Sequence, residues 1–271
     1  MIGMKNKASN MDFKENIIEL MGFCMLKFCN EGKTHDYDII YKKGFDVPLI
    51  QNIMELCKSE ITQKTKGNST IPLDDYIIII HFYEDSNQNK IVNIFMDDKE
   101  SEVNYTKLYL VSRKIFNQYN ADMDAGEVKE SCNEYLEIPR SEGLLGIFIL
   151  NPSGSPYFSK IDKKKANLAK KDVQISGFIS ALLTFSKEII GKESGGNLKE
   201  IVFGNQRFYV IIKKNIIFAY LVEKVNQLLK RYMYLIVDEF FSNYDNELKN
   251  FNGDISPFED FEDILNQYFK L

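Results

Sequence analysis

The chain has 271 residues, of which 44% are hydrophobic and 27% are charged. This length fits one large or two small globular domains, and the composition is that of an ordinary folded protein. The formal net charge of −5 argues against nucleic-acid binding, because proteins of that class usually carry a basic excess or a basic stripe. The basic cluster at Lys163 to Lys165 and Lys170 to Lys171 is interpreted as a solvated loop or helix start, with an acidic partner or an anionic lipid surface as the other reading.

The cysteines predict neither a metal site nor a disulfide framework. Cys24, Cys29, Cys57 and Cys132 match no zinc-ribbon spacing, so we expect small buried thiols in a reducing cytoplasm. No apolar run approaches the roughly 20 residues that a bilayer-spanning helix needs. The first ten residues also lack the apolar centre of a secretory signal, so we expect a polar leader there.

The first half of the chain predicts strands and helices in alternation. A strand is expected within 17–28 and a second at 37–41, followed by a helix in which Asp46 is the N-cap and Pro48 lies in the first turn. Residues 64–69 are predicted to be a polar loop. The run YIIIIHFY at 76–83 predicts a buried strand, and 91–96 predicts its return.

A helix at about 101–119 completes this half. The order is then strand, strand, helix, strand, strand, helix. Either a short strand near Ile71 is hidden, or this half has diverged from the pattern of the second half. The following acidic and polar stretch predicts a boundary with one short helix near 127–136. The predicted organisation is a domain at 11–122, a linker at 123–142 and a domain at 143–271.

The second half shows the clearer pattern. The apolar run 143–150, a turn at 151–154 and a strand at 157–161 predict a hairpin. Asp172 then caps an amphipathic helix that glycines end at 191, 195 and 196. Three short strands at 200–203, 207–212 and 216–222 predict an antiparallel meander. A long helix at about 223–244 and a last amphipathic helix around 261–269 follow, and the last one docks on its own domain or on a partner.

No catalytic or metal-binding motif emerges from the sequence. The two histidines, His35 and His81, have no nucleophile or carboxylate pattern around them that would indicate general-base chemistry. The segment Gly32-Lys33-Thr34 lacks the preceding glycine of a phosphate-binding loop and falls in a predicted hairpin turn. We therefore predict no catalytic residue, no metal ligand set and no cofactor.

The segments GLLGIFILNPSGSPYF and IVFGNQRFYVIIKKNIIFAYLV carry the order of two strands, a helix, three strands and a helix. In this order the second half resembles the roadblock and longin superfamily, and the first half resembles it more loosely. The resemblance implies tandem longin-like domains. The expected fold class is α+β, in which each antiparallel sheet of about five strands is flanked by helices.

The resemblance also implies a role in protein interaction. Members of the superfamily generally act as non-enzymatic platforms that pair through edge strands or helices, and many bind or regulate small Ras-like GTPases at membranes or in trafficking complexes. Tandem longin domains further resemble subunits of Rab-type exchange factors. The expected partner is a small Ras-like GTPase or another longin or roadblock protein, in a homo- or heterodimer, with peripheral membrane contact. The Lys-, Asn- and Ile-rich usage would suit an archaeon with eukaryote-like trafficking genes.

An open sheet has two edges, and an exposed edge invites pairing. We predict an interface at the strand 157–161 or at the helix 175–190 that follows it. The candidate interface residues are Tyr157, Phe158, Ile161, Ile175, Phe178, Ile179 and Leu182. The alternative is a small-ligand sensor with PAS- or GAF-like domains, which needs a pocket between sheet and helices. An enzyme is the third reading, and the missing nucleophile–base pairs argue against it.

Overall fold

The computed structural model describes residues 17–28, 37–121, 125–162, 172–189 and 198–271. The chain forms two compact units, Met1–Pro139 and Arg140–Leu271. Each unit holds one five-stranded antiparallel sheet flanked by helices. The predicted α+β class is therefore confirmed.

Within the described residues, the elements of the first unit run from a two-residue strand to the parallel partner of that strand. Its elements are β1 (Ile18–Glu19), β2 (Gly22–Phe28), β3 (Tyr37–Lys43), α1 (Val47–Gln63), β4 (Lys66–Pro72), β5 (Tyr76–Glu84), β6 (Lys90–Asp98), α2 (Tyr105–Tyr119), α3 (Ala125–Tyr135) and β7 (Leu136–Glu137). The sheet has the order β3-β2-β6-β5-β4. β1 and β7 pair in parallel, with Ile18 opposite Leu136.

The second unit repeats this plan. Its elements are β8 (Leu144–Leu150), β9 (Pro156–Ile161), α4 (Asp172–Ile189), β10 (Glu200–Phe203), β11 (Gln206–Lys213), β12 (Ile216–Val222), α5 (Gln227–Lys249), a 3-10 turn (Ser256–Phe258) and α6 (Phe261–Tyr268). The sheet has the order β10-β11-β12-β8-β9. A parallel bridge joins Ser141, ahead of the first strand, to Phe269, just after the last helix.

The two sheets share one topology. If the five main strands of each unit are numbered along the chain, both sheets run in the order second, first, fifth, fourth, third. The parallel pairing of the segment before the first strand with the segment after the last helix also recurs. The first unit is therefore a complete counterpart of the second.

This result corrects the prediction of a polar loop at 64–69. β4 occupies Lys66–Pro72 and pairs along its length with β5, from Lys66 opposite Tyr83 to Pro72 opposite Ile77. It is an edge strand of alternating exposed and half-buried residues, held by ladder hydrogen bonds rather than by buried side chains. The strand near Ile71 that the sequence left open is present.

Helices cover both faces of the sheet in the second unit. Along β12, Ala219 and Leu221 join a buried cluster with Ile179 and Leu183 of α4. Phe218, directly before Ala219, packs instead against Phe240 of α5, with the ring centroids 5.6 Å apart. Because successive side chains of a strand point to opposite faces, α4 and α5 lie on opposite sides of this sheet.

Local signals begin the helices. Asp46 Oδ1 accepts a hydrogen bond from the backbone N–H of Leu49 at 2.8 Å, and Pro48 lies in the first turn of α1, as predicted. The predicted short helix of the 123–142 segment is α3, which lies in the first unit. The last helix, α6, packs on α5 of its own unit through Phe261 and Phe240. The glycine stop at 191–196, the basic cluster at 163–171, Cys29, the segment 32–34 and His35 lie outside the described residues.

Candidate interaction surfaces

β9 is an edge strand, as the sequence predicts, but the candidate side chains on it pack within their own unit. The ring of Tyr157 lies 4.6 Å from that of Phe251, and the ring of Phe158 lies 5.5 Å from that of Phe261. Ile161 belongs to the buried cluster beneath α4. These three side chains stabilise the second unit, which leaves the backbone of β9 as the part of this strand that an interface could use.

The candidate residues on α4 divide into two groups. Ile179 is fully buried, and Ile175 packs against the same cluster. Phe178 is 44% exposed, and Leu182 is half-buried beside it. The helix therefore anchors itself by one side and presents an apolar flank to solvent.

That flank continues onto the second edge of the sheet. Among the residues that the structure describes, β10 pairs with β11 alone, and its Val202 and Phe203 are exposed. The ring of Phe203 lies 6.0 Å from that of Phe178, so strand and helix form one apolar patch. Phe185 lies seven residues after Phe178, on the same stripe of the helix, and is also exposed. Residues Phe178, Phe185 and Phe203 define the α4–β10 surface.

Sequence reasoning did not identify Phe185, Val202 or Phe203 as candidates. The signal was available in part, because Phe185 continues the helical stripe of Phe178. For Val202 and Phe203, the sequence pattern instead indicates the buried end of a short apolar strand. The strand order alone shows that they lie on an edge.

The equivalent surface of the first unit is different in character. β4 takes the place of β10 in the sheet order, but it carries mostly polar residues and ends at Pro72. Pro72 has no backbone N–H to donate to a neighbouring strand, and such residues protect natural edges against pairing. On α1, the counterpart of α4, the exposed large apolar residue is Leu56. The two units thus share a fold, but at this edge the first unit carries mostly polar residues and the second carries Val202 and Phe203.

A groove lies between helices α2 and α3 of the first unit. It has a volume of about 540 Å³, and its lining includes Lys107, Leu110, Val111, Lys114 and Tyr135. Its walls come from the helices and from Ile17 ahead of β1, and no residue of the five-stranded sheet lines it. A PAS- or GAF-like sensor needs its pocket between sheet and helices, so this α2–α3 groove does not supply that feature.

The buried thiols are unsuited to nucleophilic chemistry. Burial raises the pKa of the Cys24 and Cys57 thiols, and it raises the pKa of Cys132 to about 12. The thiolate is the reactive form of cysteine, so these three groups are inert near neutral pH. Among the described residues, no group of three or more His, Cys, Asp and Glu side chains is placed to hold a metal ion.

His81 lies in a buried polar pair under α2. It faces Asn93 across β5 and β6, and burial lowers its pKa to about 4. Asn93 Nδ2 donates to Ser112 Oγ at 3.0 Å. Within the part of the chain that the structure describes, His81 Nδ1 and Asn93 Oδ1 have no hydrogen-bond partner. Among the described residues, no second titratable group stands beside His81 in an arrangement typical of general acid–base catalysis.

No helix of the described ranges is long and apolar enough to span a bilayer. No protein-family model matches this chain, and no curated protein matches it either. Among solved structures, the chain is similar to the Roadblock/LC7 domain from Streptomyces avermitilis, with 12% sequence identity and a TM-score of 0.29. The similarity covers 38% of this chain and 85% of that domain.

Proposed function

We propose that this chain is a non-enzymatic interaction platform whose second unit pairs with another protein through the α4–β10 surface. The observation that carries the proposal is the aromatic patch of Phe178 and Phe203, which lies on an open sheet edge with both rings close to half exposed. An exposed strand edge offers unpaired backbone donors and acceptors. Apolar residues beside that edge add the burial that makes pairing favourable.

The contrast between the two units supports this choice of surface. The first unit has the same topology, yet its equivalent edge strand β4 is mostly polar and ends at Pro72. Selection for solubility would favour the polar edge in both units. The aromatic edge of the second unit therefore indicates a surface that is covered when the protein works.

The partner we propose is a small Ras-like GTPase or a second longin or roadblock protein, including another copy of this chain. This step rests on the resemblance of the element order to that superfamily. A location in the cytoplasm with peripheral membrane contact belongs to the same proposal.

The test uses the full chain and a double variant, Phe178→Asp with Phe203→Asp. Sedimentation velocity over a wide concentration range measures self-association, and binding assays use purified small GTPases of the same genome in both nucleotide states. We expect the wild type to self-associate or to bind a GTPase. The double variant should lose at least about tenfold in affinity, because two charges would have to be buried in the contact.

Leu56→Asp is the matched control, because Leu56 is exposed on the equivalent helix of the first unit. It adds one negative charge to the same fold, outside the proposed contact, and should leave binding unchanged. A wild-type protein that stays monomeric and binds no GTPase would contradict the proposal. Equal binding by the double variant and the wild type would contradict it as well.

A further inference from the structure

The described part of the first unit begins at the α2–α3 groove. Ile17 is the first described residue, and it forms part of the groove lining. Its backbone carbonyl accepts a hydrogen bond from the Lys107 ammonium group of α2 at 3.2 Å. Ile18, the next residue, pairs with Leu136, which directly follows α3. The chain is therefore fixed to both helices at this point, and the segment that precedes Ile17 starts at the wall of the groove.

The groove offers apolar surface that is open to solvent. Val111 and the half-buried Tyr135 lie in its lining, and Leu110 beside them is 62% exposed. The volume of about 540 Å³ is within the range of sites that receive a ligand. Removing concave apolar surface from water is favourable. The groove therefore favours an occupant with a large apolar side chain.

The segment that precedes Ile17 carries such a side chain. Residues 11–16 have the sequence MDFKEN, and Phe13 is the aromatic residue of this stretch. Phe13 comes four residues before Ile17, so the two Cα atoms are about 6 Å apart if the segment is helical and about 13 Å apart if it is extended. The ring of Phe13 is thus within reach of the groove in either conformation.

The covalent connection makes a weak contact sufficient. A segment attached at the wall of a site has an effective concentration in roughly the millimolar range. Burial of a single phenylalanine ring can then hold the segment in place, although the same ring on a free peptide would bind weakly. A partner protein would have to displace the segment before it reached the groove. The connection through Ile17 therefore favours the chain's own segment over a partner as the occupant.

The charges of the two surfaces are balanced. Besides Lys107, whose ammonium group is already bonded, the charged residues of the groove lining are Lys114 and Glu134. Asp12 and Lys14 stand directly before and after Phe13 in the sequence. One carboxylate and one ammonium group on the segment thus meet one ammonium group and one carboxylate on the groove. Neither surface brings an excess of like charge into the contact.

We infer that residues 11–16 cover the α2–α3 groove in the free chain, with the ring of Phe13 seated against Leu110 and Val111. The groove is then an intramolecular docking site. A partner gains access to its apolar surface only when the segment leaves. This docking site belongs to the first unit and does not rest on the α4–β10 surface.

Photo-crosslinking locates the segment directly. The photoreactive residue p-benzoylphenylalanine is incorporated in place of Phe13 in the full chain, which is irradiated at low micromolar concentration. We expect a crosslink within one chain to α2 or α3, identified by mass spectrometry of the peptides. The same photoreactive residue in place of Leu56, which is exposed on α1, is the control and should give no crosslink to these helices.

Amide hydrogen exchange measures the protection that the segment confers. Phe13→Asp should accelerate exchange in α2 and α3 at least about threefold, because the groove opens to water. Leu110→Asp changes the opposite side of the contact and should accelerate exchange in α3 to a similar extent. The two changes together should add little to either one, since both remove the same contact.

Two control variants separate the ring from the added charge. Met4→Asp adds the same charge outside residues 11–16 and should leave exchange in α2 and α3 unchanged. Phe13→Leu keeps an apolar side chain and should retain most of the protection. Circular dichroism checks that the variants are folded, which we expect because Leu110 is largely exposed and Phe13 precedes the two sheets.

The inference is overturned if the photoreactive residue at position 13 crosslinks elsewhere in the chain, only to a second copy, or not at all. It is also overturned if Phe13→Asp leaves exchange in α2 and α3 at the wild-type rate. The groove is then open in the free chain and accessible to a partner. Either outcome leaves the α4–β10 experiments unaffected, because those variants lie in the other unit.

Discussion

The rings of Phe178 and Phe203 lie 6.0 Å apart, and 44% of the first residue and 47% of the second remain exposed. Phe178 belongs to helix α4, and Phe203 is the last residue of the edge strand β10. The two rings therefore connect these elements while both remain partly exposed to solvent. Aromatic pairs at this separation attract each other weakly. A little under half of the surface of these two residues is still available for a partner to bury.

The folded state should depend little on Phe203. Phe203→Ala should lower the free energy of unfolding by less than about 1 kcal/mol, because much of this side chain is already in contact with water. Phe208, whose ring lies 6.2 Å from that of Phe203, is buried in the cluster beneath α4. Phe208→Ala should cost about 3 kcal/mol. Urea denaturation measures both, and equal losses would show that Phe203 is a core residue after all.

Acid should destabilise the first unit through His81. Burial lowers the pKa of His81 from its ordinary value of 6.5 to about 4. Between these two pH values the unfolded chain binds a proton that the folded chain does not bind. The stabilisation by the neutral imidazole is therefore complete above pH 6.5 and is lost as the pH falls toward 4. The free energy of unfolding should fall by up to about 3 kcal/mol across this window.

The matched variant is His81→Ile. The two sheets can be superimposed by matching the cross-strand pair Gly22–Met96 of the first unit with the pair Gly146–Leu221 of the second. In this superposition the pair His81–Asn93 coincides with the pair Ile211–Phe218. Isoleucine is thus the residue that the second unit has at this position. Urea denaturation at several pH values should show a shallower acid dependence for the variant. Parallel curves for the two proteins would refute the assignment to His81.

Gly44 is required where β3 leads into α1. Its φ is +78°, and a Cβ placed there would lie 2.2 Å from the carbonyl oxygen of Met21. Gly44→Ala should lower the free energy of unfolding by about 3 kcal/mol, because backbone strain and a clash with backbone add together. Gly204 is the control, since its φ is +55° but a Cβ there meets nothing within 4 Å. Gly204→Ala should cost about 1 kcal/mol in the same thermal or urea unfolding experiment.

The sequence predicts the central strands and helices well, because their signals are local or strongly apolar. The runs at 76–83 and 143–150 became β5 and β8, and the cap at Asp46 begins α1. β4 has no such signal. Its residues are mostly polar, and backbone hydrogen bonds to β5 hold it in the sheet. Its strand conformation therefore depends on pairing with β5 and not on a local sequence pattern.

The candidate surfaces were less predictable for a related reason. Burial of an apolar residue depends on which residues lie beside it in space. The same apolar sequence pattern is therefore compatible with a buried strand and with an exposed edge such as Val202–Phe203.

α6 should be an integral part of the second unit rather than an appendage. Phe261 is fully buried, and its ring lies 5.0 Å from Phe240 of α5 and 5.5 Å from Phe158 of β9. Phe261→Ala should therefore lower the free energy of unfolding by about 4 kcal/mol, since it leaves a cavity between helix and sheet. Amide hydrogen exchange should accelerate along β9 and α5. The control Ile255→Ala changes a residue that is 47% exposed and should cost less than about 1 kcal/mol. Unchanged exchange in the Phe261 variant would mean that α6 is dispensable for the fold and is free to serve a partner instead.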